Sequence, residues 1–594
     1  MALEAVSSTI NTTLVPLLSG EVNLLRNIHI EVASIKAELE SIMSFLEDAD
    51  SSAKLGNGGA KIWVKQARAV AYQIEDVMDE YILHLAENRQ RRGFIGFLRK
   101  LSHSITKLKP QHDIASKIQD IKQIIHDIKG RADRYGFTSL QHGPSSETEE
   151  KVHDDPRVAS LFIEEDEVVG VESTREELIH RMLIGESNRT ITSLVDQSWN
   201  NETRRWSMHM RCIKYKDLET ISSTKSRIRS VFLFSVGELP KQQLLGTLAM
   251  NFKLLKVLDL QGAPLDQLDG EVGNLLHLRY LSVKRTKVKI IPKSIGNLHN
   301  LQTLNLKYSL VDVLQIGILS RLRKLRHLIG SGVKIQGGIG HLEELQTLRN
   351  VEANDDLIKE LENLRQLRKL GIVINLKREH GKALCTAIEK MNHLQSLAIW
   401  AINGDGILDL HCLSSPPESL RDLYLDGHLE MLPNWILRLD NLVSLSLIHS
   451  GLTSAHAIKA LQTLPNLIKL DFYRGYDGEQ LYFDVGGFPK LKFLYLEDLK
   501  GLNSVIIEEG GLPVLKELQI ICCPQLKKVP FGIRSLKELK SLVFSNMSIE
   551  FFERMKPGEG QDYWIIEHIP NVKFLWMDGR GFQNDEPEEV GGVE

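Results

Sequence analysis

The sequence predicts an α + α/β chain: an N-terminal four-helix bundle followed by a long C-terminal solenoid of short repeats. Three observations carry this reading. Over roughly the first 135 residues, apolar side chains recur at steps of three and four, which gathers them on one face of each helix. From about Ile228 an L-x-x-L-x-L hexad recurs again and again, and a repeat that cannot bury its own apolar face must stack on the next one. The length of 594 residues is too great for one domain.

The bundle comes first. Leu24, Ile28, Val32, Ile35, Leu39, Ile42 and Leu46 form one stripe. Asn57-Gly58-Gly59 breaks it, and Ile62, Val70, Ile74, Val77, Met78 and Tyr81 form a second. Ile114, Ile118, Ile121, Ile125 and Ile128 form a third, ending near Gly130. With a short helix before Gly20, four helices each bury one stripe against the others. The bundle is expected over 1–135.

One stretch on the second stripe stands out, "YQIEDVMDEY" from Tyr72 to Tyr81. Glu75, Asp76, Asp79 and Glu80 lie away from the apolar face. Four carboxylates on one helical surface repel one another unless a basic partner neutralises them. They form either a solvated acidic face or a docking patch for a basic surface. The run "NRQRRGFIGFLRK" at 88–100 is likewise either a solvated basic loop or a contact for anionic lipid.

"IEDVMDEY" resembles the EDVID motif of coiled-coil plant disease-resistance receptors, the Rx-type N-terminal domain of the NB-LRR family, with Met78 where the motif has isoleucine. The first residues, with Met1, Ala2, Val6, Ser7, Leu17, Leu18, Leu24 and Leu25, partly resemble the family's MADA-type first helix, departing at Leu3 and Glu4. In the family that helix enters the plasma membrane when receptors assemble into a cation channel. The resemblance makes Glu4 or Glu21 a candidate pore lining; the other reading is an ordinary bundle helix.

From 136 to 167 the chain turns polar and acidic, as a flexible tether does. "VVGVESTREELIHRMLIGESNRTITSLV" then resembles the start of the family's NB-ARC nucleotide-binding module, expected as a remnant over 168–195. Val169, Gly170 and Val171 match its first turn, which contacts adenine in family members. "RTITSLV" matches the strand that leads to the phosphate loop. That strand runs into "DQSWNNETRRW" instead of the G-x-x-x-x-G-K-[ST] loop whose amides and lysine hold the phosphates. The one Gly-Lys pair, Gly381-Lys382, has Leu376 in place of the first glycine. Met208-His209-Met210 resembles the family's MHD motif in outline, with methionine for aspartate. The stretch 196–227 reads as a junction into the repeats. The family uses ADP or ATP with magnesium; with the phosphate loop absent, no cofactor is expected here.

Hexads such as "LKVLDL" (255–260), "LQTLNL" (301–306), "LRDLYL" (420–425) and "LKELQI" (515–520) recur at roughly the 20–29-residue period of a leucine-rich repeat. We place the repeats at 228–580. Alternation inside each hexad makes a strand, and the variable positions face the concave side, where Tyr280, Tyr424, Tyr495 and Trp576 are candidate partner contacts. A basic position recurs along one edge at Lys256, Arg279, Arg326, Arg368 and Arg421. In the family the EDVID patch docks on an arginine cluster of the repeats. The resemblance therefore pairs Glu75, Asp76, Asp79 and Glu80 with Arg279, Arg326 and Arg368. The acidic tail, 581–594, is expected to be disordered.

The totals exclude several classes. A net charge of −4 gives no basic field for nucleic acid. Five scattered cysteines, Cys212, Cys385, Cys412, Cys522 and Cys523, suit a reducing cytosol. There is no signal-peptide pattern, no apolar run long enough to span a bilayer, and no enzyme or metal motif. The expectation is a cytoplasmic immune-receptor relative acting by protein binding, with peripheral plasma-membrane contact through its first helix. Its expected partners are a pathogen effector, a guarded host protein or full-length relatives. An ATP-switched channel former and a plain repeat scaffold are the alternatives.

Overall fold

In the computed structural model, the described residues are 6–7, 9–15, 26–54, 58–90, 108–134, 191–192, 205–209, 228–234, 244–374, 378–402, 406–556, 558–577 and 582–584. The expected tether at 136–167, the turn Val169, Gly170 and Val171, residues 91–100 of the basic run, the tail beyond 584, and Glu4 and Glu21 lie outside them.

After a π-helical turn at Ile10–Leu14, three long helices follow: α1 Arg26–Lys54, α2 Gly58–Gln90 and α3 Leu108–Arg134. Val32, Ile35, Leu39, Ile42 and Leu46 of α1 are buried against Val70, Ile74, Val77, Met78 and Tyr81 of α2 and Ile118, Ile121, Ile125 and Ile128 of α3. The second stripe needs one correction. Ile62 is 57% exposed, and Trp63 takes the buried place beside it. The larger ring removes more apolar area from water, and its indole N–H donates to the carbonyl of Ile128 at 2.9 Å, so the polar end is satisfied as well. Gly130 also does not end α3, which continues to Arg134. Lys122 with Glu31 (2.8 Å) and Lys129 with Glu38 (3.4 Å) tie α3 to α1.

The repeats build one 19-stranded sheet among the described residues. Its first strands are β1 Ile191–Thr192, β2 Arg205–His209, β3 Ser230–Phe234, β4 Val257–Asp259 and β5 Tyr280–Ser282. They are parallel, and Val231, Leu258, Leu281 and Leu304 stand in register on successive strands. Each of these is at most 1% exposed, so the interior is a continuous ladder of leucine-type side chains. Each such burial contributes about 1.5–3 kcal/mol. Asparagines stitch the turns between rungs: the side-chain amides of Asn300, Asn441 and Asn466 each donate to a main-chain carbonyl in the preceding repeat. The tail expected to be disordered from 581 is ordered at its start, where the strand Phe582–Asn584 pairs antiparallel with Asn571–Met577 through main-chain bonds.

Two sequence readings change here. The sheet begins upstream of Ile228, because β2 pairs in parallel with β3 and sets Trp206 and Met208 in register with Val231 and Leu233. Met208-His209 is therefore strand backbone in the repeat sheet. "RTITSLV" likewise supplies β1, a strand paired to β2. Gly381-Lys382 lies in the first turn of the helix Arg378–Glu389, with Leu376 and Ala383 where a phosphate loop has its first glycine and its hydroxyl.

Candidate functional site

The site is built where α2 meets the first rungs of the solenoid. On α2 the side chains of Ile74, Val77, Met78 and Tyr81 turn inward to the bundle core. The 3.6-residue period therefore turns Glu75, Asp76 and Asp79 outward on one surface spanning a single helical turn. On the solenoid, Arg229 and Lys256 hold the same place in successive repeats, immediately before β3 and β4. The carbonyl of Arg229 accepts from the amides of Lys256 and Val257, and that of Lys256 accepts from Arg279 and Tyr280. This shared geometry sets Arg229, Lys256 and Arg279 on the first three of these rungs, about 4.8 Å apart.

The two surfaces interlock. Arg229 pairs with Asp76, and its Nε lies 3.4 Å from Asp79 Oδ2. Lys256 pairs with Glu75, and its Nζ lies 3.0 Å from Asp79 Oδ2. His277 Nδ1 lies 3.8 Å from Asp79 Oδ1. The side chains of Asp79 and His277 are each 4% exposed and that of Arg229 is 7% exposed. Asp79 is the hub. Burial alone would raise its pKa, but Lys256, His277 and Arg229 together outweigh that and hold the carboxyl below its ordinary value. Burial pushes His277 the other way for an imidazole, downward, assisted by Lys256, Arg229 and Arg279 and opposed by Asp79. The Nε2 of His277 finds no hydrogen-bond partner among the described residues. In so dry a setting, removing one partner leaves an uncompensated charge and costs about 3–5 kcal/mol.

The basic partners expected from sequence were Arg279, Arg326 and Arg368. Arg279 is the next rung beyond Lys256 and contributes to the field on His277. Arg326 lies four strands along from Arg229 and pairs with Glu344 at 3.1 Å. Arg368 lies farther still, beside the strand Lys369–Ile374. The reason is reach. One turn of α2 covers about 5 Å, whereas four strand spacings are about 19 Å. The carboxylates therefore close on Arg229, Lys256 and His277. Glu80 points to the bundle and pairs with Lys117 of α3 at 2.7 Å. Arg229 escapes a hexad search because "SVFLF" after it lacks the leucine spacing; the signal that finds it is its place one residue ahead of a strand, like Lys256.

The expected partner contacts are dispersed. Tyr280 is half-buried on β5, and burial raises its phenol to about 12. Tyr424 and Tyr495 are half-buried on strands Asp422–Asp426 and Phe493–Glu497. Trp576 lies in the strand Asn571–Met577. Among the described residues no cluster of His, Cys, Asp and Glu is suited to a metal ion, and no helix is long and apolar enough to cross a membrane.

A family model described as a leucine-rich repeat region matches residues 227–554, and one described as the Rx N-terminal domain matches residues 5–112. The chain is 35% identical over 251 residues to disease resistance protein RPM1 of Arabidopsis thaliana, covering 42% of this chain and 27% of that protein. It is 29% identical over 343 residues to disease resistance protein RPP8 of the same plant, covering 55% of this chain and 37% of that protein. The chain thus spans about a third of the length of these relatives. Among solved structures, a leucine-rich-repeat protein of Leptospira interrogans aligns at a TM-score of 0.40 and 19% identity, covering 61% of this chain and 93% of that one.

Proposed function

The chain belongs to the leucine-rich-repeat family of plant disease-resistance proteins with an Rx-type coiled-coil domain, and from this premise we propose that it acts in plant defence by binding protein. The repeats recognise an effector, a guarded host protein or a full-length relative, and the coiled-coil domain is held in check or presented by docking on the first rungs. The observation that carries the reading is the bracketing of Glu75, Asp76 and Asp79 by Arg229, Lys256 and His277. Burying that many charges between two domains costs more than leaving them in water unless the pairing is kept intact. Such an interface suits a latch that opens as a unit.

In this reading the protein works without a nucleotide switch, as an adaptor, decoy or regulator. Its support is the sequence, in which "RTITSLV" leads into no phosphate loop, together with the place of that strand in the repeat sheet. The first helix would supply any contact with the plasma membrane.

The test of the latch uses the full chain carrying a protease site in the acidic stretch 141–167. After cleavage the two fragments should co-elute from a sizing column. Asp76→Lys with Asp79→Lys should separate them, with affinity falling at least about a hundredfold, the equivalent of about 3 kcal/mol. Combining that pair with Arg229→Glu and Lys256→Glu should restore part of it. Co-elution unaffected by the lysine pair would sink the reading.

A further inference from the structure

We propose that the concave face of the rungs between Asp422 and Ile521 is the docking surface for a cationic segment of a partner protein. The inference rests on the reading that the repeats recognise protein, and it names the chemistry of what they take. Five successive strands of the main sheet build this face: Asp422–Asp426, Ser444–Ile448, Lys469–Tyr473, Phe493–Glu497 and Glu517–Ile521. Their leucines and Phe472 alternate into the core, so the intervening positions form the opposite face. In register across it run Tyr424, Ser446, Asp471 and Tyr495, and beside that row run Asp426, Ile448, Tyr473 and Glu497. Carboxylates and phenol rings therefore interleave within a few ångströms of one another.

Three properties set the kind of partner. First, the rings already accept cations. Lys469 Nζ stands 5.2 Å from the centre of the Tyr495 ring, and the Arg474 guanidinium stands 5.5 Å from that of Tyr473. An incoming lysine or arginine would stack on the opposite faces of these rings or replace the chain's own cation there. Second, the chain's own cations leave negative charge in excess. The five strands carry Asp422, Asp426, Asp471, Glu497 and Glu517 against Lys469, which acts on Asp471, and Arg474 beside them pairs with Asp498. Asp471 and Glu497 are both pushed above the ordinary carboxylate range, by burial first and, for Glu497, then by Asp471 itself. A guanidinium placed between two such carboxylates relieves their repulsion and is itself held by charge-assisted bonds. Third, the acidic character is local. The earlier strands His327–Ile335, Thr347–Ala353 and Lys369–Ile374 carry Lys334, Arg349 and Lys369 against Glu352, and α2 engages the far end of the solenoid through Arg229 and Lys256. A cationic segment is thus drawn to the later rungs and repelled from the earlier ones.

A displayed library of random dodecapeptides, selected on the purified full chain, tests this. Binding of the selected peptides is then compared on Asp471→Asn with Glu497→Gln, on Tyr424→Ala with Tyr495→Ala, and on the control pair Glu418→Gln with Glu430→Gln. The proposal expects peptides rich in arginine and lysine, weakened about tenfold or more by the Asn/Gln pair, weakened by the tyrosine pair and little changed by the control. Neutral or acidic peptides that depend on the two tyrosines would overturn the cationic class while leaving a recognition surface in place. Peptides indifferent to both pairs, or no selected peptides, would overturn this docking face, and the recognition reading would then stand or fall on other rungs. The Asn/Gln substitutions keep shape, and thermal unfolding of each variant separates lost binding from lost fold.

Discussion

His327 shows how one side chain ties the solenoid to pH. It opens the strand His327–Ile335, is 9% exposed, and its Nδ1 lies 3.1 Å from Thr347 Oγ1. Burial, aided by Arg326 and Lys369, pushes its pKa down from 6.5 to about 4. The unfolded chain therefore takes up the proton first. The stability due to neutral His327 is present in full above pH 6.5 and is lost as pH falls from 6.5 towards 4, with about 3 kcal/mol at stake. Urea unfolding at pH 7.5, 5.5 and 4.5 checks this. The wild type should lose more stability on acidification than His327→Gln, and equal losses would show that the ring does not titrate in this way. Asp79, held below its ordinary range, has the opposite sign from a raised acid: its contribution is present above pH 3.8 and is lost only below it. The latch thus survives mild acid as far as Asp79 is concerned, and His277 is the member that weakens it below pH 6.5.

At the scale of the element, two glycines predict opposite outcomes. Gly273 sits in the 3-10 turn Gly270–Asn274, which stacks on the turn Lys293–Asn297 of the next repeat. A Cβ there would lie 2.4 Å from the carbonyl oxygen of Ser294. That atom is backbone and cannot swing aside, so Gly273→Ala forces two repeats apart and should cost about 1–3 kcal/mol. Gly130 lies within α3, and nothing stands within 4 Å of where its Cβ would be. Gly130→Ala should therefore stabilise the bundle by about 0.5–1 kcal/mol through helix propensity. Thermal unfolding of the two variants decides the matter. A destabilised Gly130→Ala would mean that this face of α3 is covered in solution, and a neutral Gly273→Ala would mean that the stacked turns yield.

At the scale of the whole molecule, the proposal of a nucleotide-free protein has a direct consequence. A ligand that binds the folded state at a hundred times its Kd adds about 2.7 kcal/mol of stability. Millimolar ADP or ATP with magnesium should leave the melting temperature of the full chain unmoved. A rise of several degrees would restore a nucleotide site and with it the switched-receptor mechanism. The latch between α2 and Arg229, Lys256 and His277 would then be one state of a cycle and no longer the resting form of an adaptor.

Periodicity made most of this architecture legible in the amino-acid sequence. Steps of three and four from Val32 to Leu46, and the hexads from "LKVLDL" onward, report which side chains must leave water, and burial is a local consequence of such patterns. The outward carboxylates at Glu75, Asp76 and Asp79 followed from the same helical period, once Ile74, Val77 and Met78 were assigned inward. Local pattern could not choose their partners. Every rung offers the same position for a basic side chain, and which rung meets α2 depends on how two separately folded bodies meet. Tertiary structure alone decided that Arg229, Lys256 and His277 close on Asp79, that Arg326 turns to Glu344 and Glu80 to Lys117, and that β1 and β2 join the repeat sheet. Each of these depends on distance in space between residues far apart along the chain, and a one-dimensional pattern carries no measure of that distance.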